Sequence, residues 1–221
     1  MKVVAAFFTL FVAGAAFAQS PAAPVSRAHI QFTVENPQLE PARYSLEIYE
    51  NGAGRYTATY TAANGDSAAL PVDRAIRVHD PLLSHLFETA RAHHFFAEEC
   101  QAPHSHVAFT GKKTLAYTGP DGAGICIFNY ARDNAINQAA NNLMSVAYTL
   151  AVGAQLQREH RYDRLSLDAE LGALQDMVRD GQALEVENIA PELESIANDD
   201  DVMNRARERA RALLAEPTSI R

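Results

Sequence analysis

The run from His93 to His106 gathers side chains that hold metals: His93, His94, Glu98, Glu99, Cys100, His104 and His106. Imidazole and carboxylate are the usual ligands of zinc and copper. On a strand, His104 and His106 would point the same way. No H-E-x-x-H motif accompanies them. A polar helix end, where histidines suit the negative end of the helix dipole, explains them as well. A metal-binding role with His93, His94, His104 and His106 as candidate ligands is therefore the alternative reading, and no metal or cofactor is assigned.

The other chemical signatures fail on spacing. Gly111-Lys112-Lys113-Thr114 superficially resembles a phosphate loop, but His106 stands where the first glycine belongs and Lys113 where Ser or Thr should follow the lysine. Lys112 and Lys113 read instead as charges that protect an edge strand. Neither G-x-S-x-G nor Ser-x-x-Lys occurs, so no catalytic residue is assigned. A dispersed triad is recognised by geometry alone, and an uncharacterised hydrolase stands as the third reading. Asp199-Asp200-Asp201 lacks calcium-loop spacing and reads as acids ahead of a helix starting at Val202. Arg205, Arg207, Arg209 and Arg211 wrap around that helix rather than line one face.

Compartment is legible at the start of the chain. Lys2, the apolar stretch Val3 to Phe17 and the small-residue site Ala16-Phe17-Ala18 read as a signal peptide over residues 1–18 of the 221. Its removal takes one lysine, leaving 18 Lys+Arg against 27 Asp+Glu, a formal charge of −9. Such a chain is a poor partner for nucleic acid. No later apolar run is long enough to span a bilayer once the signal is gone. An exported protein with two cysteines, Cys100 and Cys126, is expected to join them in one disulfide. The address is exported, either periplasmic or secreted.

The elements that must position these groups follow from periodicity. Residues 19–28 form a small, Pro-containing flexible tail. His29 to Glu35 alternates as a strand, and Tyr44 to Tyr49 pairs with Arg55 to Thr61 across Asn51-Gly52-Ala53-Gly54 in a hairpin. A loop to Leu70 and a strand over Asp73 to Val78 follow. Asp80-Pro81 starts a helix running to about Phe95, with Asp80 as N-cap. A second hairpin joins Lys113–Thr118 to Ile125–Tyr130 through Gly119-Pro120-Asp121-Gly122. Its return strand is apolar on both faces, which predicts a central or doubly covered strand.

From Asp133 the chain is helical: one long helix to about Gln157, another over Leu167 to Val178 ended by Gly181, then Pro191–Ala197 and Val202–Leu214. Strands first and helices later imply an α+β fold, with two β-hairpins and further strands in an antiparallel sheet packed with helices, and a C-terminal helical appendix. The expected divisions are 29–157 for the sheet domain and 158–221 for the appendix. From Arg158 onward the appendix holds 15 acids against 9 arginines. Its apolar stripes are expected to dock on the Ile125–Tyr130 strand through Phe128 and Tyr130.

YSLEIYENGAGRYTATY, DPLLSHLFETARAHHFF and KKTLAYTGPDGAGICIFNY, two hairpins bracketing a helix, resemble uncharacterised exported proteins of the acidobacterial type over about residues 29–157. The tail ENIAPELESIANDDDVMNRARERARALLA is similar to one HEAT-like helical pair. Those resemblances imply no substrate, cofactor or catalytic residue. The function expected from the sequence is non-enzymatic binding or scaffolding, with another envelope or extracellular protein as partner.

Overall fold

The structure is a computed structural model that describes residues 27–60, 70–103 and 108–215. The expected signal peptide, most of the N-terminal tail, the loop after Tyr60, and His104 and His106 lie outside the described residues. Six strands form one antiparallel sheet: β1 (His29–Glu35), β2 (Arg43–Tyr49), β3 (Ala53–Tyr60), β4 (Leu70–Arg77), β5 (Lys112–Gly119) and β6 (Gly122–Phe128). Their spatial order is β4-β3-β2-β1-β5-β6. The architecture is α+β, as alternation implied.

Period-2 patterning divides the sheet into two unlike faces. Ile30, Phe32 and Val34 of β1, Leu46 and Ile48 of β2, Tyr56 of β3, Ile76 of β4 and Leu115 and Tyr117 of β5 are buried. Helices α1 (Leu82–Ala92) and α2 (Asn134–Tyr162) lie against this side, bringing Leu86, Phe87, Leu143 and Leu150 into the same core. The opposite face carries polar pairs, among them Arg43 with Glu35 at 3.5 Å, Lys112 with Glu35 at 3.4 Å, and Arg55 with Asp73. Among the described residues, helices cover only one side of the sheet.

Boundaries shift where local chemistry differs from the pattern. Pro81 is the residue before α1, and Asp80 caps one step earlier by accepting from Ser84 N–H at 3.1 Å. α1 stops at Ala92, because His94, Phe95 and Phe96 all have positive φ, at 50°, 58° and 65°. This left-handed turn costs each side chain roughly 1 to 2 kcal/mol. It stacks Phe95 on Tyr117 at 5.1 Å and sends Phe96 into the core. The turn lies so close to β6 that a Cβ on Gly124 would sit 2.5 Å from the Phe95 carbonyl oxygen. α2 is capped by Asp133, which accepts from Ala135 N–H at 2.7 Å, and runs on to Tyr162, past the expected end near Gln157. Ala28, assigned from sequence to the flexible tail, is buried, and its carbonyl accepts from Glu50 N–H.

Helices α3 (Leu167–Arg179), α4 (Ala190–Ala197) and α5 (Asn204–Ala215) make the tail, with a 3-10 turn at Val186–Ile189. α3, α4 and the 3-10 turn pack on α2, and α5 packs on α3 and α4. Gly153 makes the approach to α2 possible, since a Cβ there would collide with Ile189 Cγ2. The tail reaches the sheet at β4, not at the expected Ile125–Tyr130 strand. There Arg74 meets Glu192 in a two-pronged ion pair and donates to the Asn188 carbonyl. The Asn188 amide both accepts from Arg77 N–H and donates to Arg77 C=O, each at 2.8 Å. An amide side chain thereby caps the end of β4 at Arg77. The rest of the β4 edge carries Pro71, Asp73 and Arg74, residues that blunt an edge strand.

The remaining arginines are internal partners. Arg205 and Arg209 pair with Asp168, Arg207 with Asp200, and Arg211 donates to the Ala197 carbonyl at 2.6 Å. Asp199 sits between His160 Nε2 at 2.8 Å and Arg164 at 3.4 Å, while Asp201 also meets Arg164. Its Asp201 N–H contact and its pairing with His160 hold the Asp199 carboxyl below the ordinary range. The acids ahead of α5 serve as tethers between helices.

Candidate functional site

β6 occupies the other edge of the sheet, which corrects the expectation of a central or doubly covered strand. Cys126 and Phe128 point into the core, but Ile125 and Ile127 are 58% and 52% exposed on the open face. The sequence Gly122-Ala-Gly-Ile-Cys-Ile-Phe128 carries no charge and no proline. Gly119 and Gly122 close the hairpin around two turn residues. By the antiparallel alternation, the N–H and C=O of Ala123, Ile125 and Ile127 then face away from β5. No backbone hydrogen bond among the described residues joins that outer edge between Gly122 and Phe128. Cover begins only at Asn129, whose N–H donates to Gln101 Oε1 at 2.8 Å, and continues with the Gln101–Ala131 bridge. Natural edge strands are normally blunted by charge, proline, a bulge or a covering segment. Over Gly122–Phe128 charge and proline are missing, and the described residues add no covering strand.

What fixes β6 in place is covalent and local. Cys100 and Cys126 meet at bridging distance, with Cα atoms 5.6 Å apart, and this closes the expected pair. Lys113, read from sequence as an edge charge, belongs to the interior strand β5 and is 95% buried. Its ammonium donates to the Asn129 carbonyl at 2.8 Å and to Thr110 Oγ1 at 2.9 Å. Burial lowers its pKa. Its role is to anchor the end of β6. Exposed Glu98 and Glu99 lie in the segment that leads from the left-handed turn to Cys100, giving the neighbourhood of β6 a negative border.

The sequence-derived histidines do not face a shared centre in the described part. His93 Nδ1 lies 3.8 Å from Asp133, and His94 Nε2 lies 3.5 Å from Glu98. A different trio meets where the tail reaches the sheet: His79, Glu185 and Glu187, with ligand atoms all within 4.8 Å of one another. Glu185 is buried at 1% exposure, in a left-handed backbone conformation (φ 57°). Its carboxylate accepts from His79 N–H at 2.9 Å and sits 2.7 Å from His79 Nδ1. Burial raises the Glu185 pKa, the His79 contacts oppose that rise, and the Glu187 charge adds to it. With 106 residues between His79 and Glu185, no local spacing marks this trio in the sequence.

One cleft among the described residues brings a serine and a histidine together, without a hydrolase geometry. Gln157, His160, Pro191, Glu192 and Ser195 line a cavity of about 130 Å³, well below the several hundred Å³ of ordinary substrate pockets. His160 is engaged by Asp199 and Glu192 by Arg74, and no hydrogen bond links Ser195 to His160. No helix among the described residues is long and apolar enough to cross a membrane. Comparison with protein-family models and with curated proteins yields no match.

Proposed function

We propose that this is an exported, non-enzymatic binding protein whose β6 edge receives an extended segment of another envelope or extracellular protein. The observation that supports this is the contrast between the two ends of the sheet. β4 carries a proline and charges and is capped by the tail at Arg77, whereas among the described residues β6 has no hydrogen-bonded neighbour along its outer edge, beside two exposed isoleucines on one face. Strand addition uses those two features together: main-chain bonds supply affinity, and alternate side chains supply selectivity. Covering the exposed halves of Ile125 and Ile127 contributes roughly 2 to 3 kcal/mol.

The favoured occupant is a basic segment with alternating apolar residues. Glu98 and Glu99 border the strand, and the formal charge of −8 for the whole chain opposes a second copy more than a cationic partner. The test places a photo-crosslinker at Thr114, beside Ile127 in the β5–β6 register, in mature protein exposed to its own cell envelope. One cross-linked partner should appear, and a synthetic peptide from the cross-linked segment should bind the purified protein. Ile127→Lys should weaken that binding roughly 10- to 100-fold while leaving thermal stability within about 0.5 kcal/mol of the parent. Equal binding by Ile127→Lys, or cross-links only to a second copy, would overturn the proposal.

A further inference from the structure

We infer that His79, Glu185 and Glu187 form a site for a divalent transition-metal ion of the zinc type, which clasps the helical tail to the sheet. This inference is independent of the β6 reading, because the two sites lie at opposite edges of the sheet.

The geometry supplies three ligand-bearing side chains from two distant stretches of chain. His79 follows β4, while Glu185 and Glu187 flank the start of the 3-10 turn that docks there. Imidazole nitrogen and carboxylate oxygen are both zinc ligands, and three protein ligands with water in the fourth position complete a tetrahedron. The imidazole selects zinc-like ions over calcium or magnesium, which prefer oxygen alone. Burial of Glu185 fixes one ligand firmly, whereas His79 and Glu187 are exposed and give an ion access from solvent.

The ordinary alternative is a simple clamp, in which Glu185 only holds His79 and the tail. Three donor atoms from the two stretches nevertheless lie within 4.8 Å of one another, close enough to share one ion. A dication would neutralise both carboxylates at once. Because ions that bind only the folded chain stabilise it by mass action, zinc should tighten the junction of sheet and tail.

The experiment uses untagged, full-length mature protein stripped of metal. Zinc chloride titrated by calorimetry should give one site, and saturating zinc should raise the unfolding midpoint by roughly 5 °C. Calcium should do neither. Glu187→Gln alters an exposed side chain and should fold normally by circular dichroism, yet weaken zinc binding roughly 10- to 100-fold. His79→Ala should do the same, and cobalt titration supplies a second readout through its visible absorption. Joint replacement of His93, His94, His104 and His106 by alanine should leave the site intact. Absence of a zinc-dependent midpoint shift in the parent, full zinc affinity in Glu187→Gln, or loss of binding in the joint histidine variant would each overturn the assignment.

Discussion

Reduction of the Cys100–Cys126 pair, or its replacement by two alanines, should lower unfolding stability by about 3.5 kcal/mol. That figure comes from the sequence separation of 26, through the entropy that the closed loop removes from the unfolded chain. The loop contains Lys112 to Gly119 and most of β6, so its closure also restrains the pairing of the outermost strand. Urea unfolding of oxidised and reduced protein, followed by fluorescence of its tyrosines, measures the difference. A loss below about 1 kcal/mol would mean that the unfolded chain already holds these segments together. Because the bridge joins the turn after α1 to β6, its loss should also raise amide exchange in β6 before it does so in β1 or β2.

Arg74→Ala should cost about 3 kcal/mol, while Arg55→Ala, on the neighbouring strand β3 and on the opposite face, should cost about nothing. The contrast comes from environment rather than residue type. Arg74 and Glu192 are 23% and 11% exposed, and removal of the guanidinium strands the Glu192 carboxylate and the Asn188 carbonyl. Arg55 and Asp73 are both about half exposed, where solvent screens the pair. Replacing Arg74 and Glu192 together by methionine and leucine should recover most of the loss, since a buried ion pair gains little over apolar packing. If Arg74→Ala and Arg55→Ala unfold at the same urea concentration, the Arg74 contact carries no tail docking.

Local periodicity made most of the scaffold legible. Ile30, Phe32 and Val34, or Leu46 and Ile48, announce a strand's inward face without knowledge of its neighbours. Asp133 announces the start of α2 through a cap that depends on adjacent residues alone. Position in the sheet is a different matter. β6 is apolar at consecutive residues, a pattern shared by strands buried on both sides and by edge strands awaiting cover, and only the pairing order separates them. Lys113 was misread for the same reason, since its carbonyl partner at Asn129 lies across a hairpin. The tail's docking place depended on Asn188 meeting Arg77 across 111 residues, which no window of sequence contains. The His79–Glu185–Glu187 trio was hidden likewise, whereas the conspicuous His93 and His94 turn toward separate acids.

The amide of Asn188, spent on the backbone of Arg77, has a consequence for how far assembly can proceed. Fibre growth by strand addition needs two open ends per molecule, one to receive and one to offer. Here one end is blunted: the protein's own chain caps β4 at Arg77, and Pro71, Asp73 and Arg74 occupy the rest of that strand. A segment that joins β6 therefore finishes the ladder instead of extending it, and even two molecules meeting through β6 would make a closed pair with a blunted end on either side. Substitution of Asn188 by leucine would uncap the second end, and turbidity growing with concentration would be the sign that a terminating molecule had become a polymerising one.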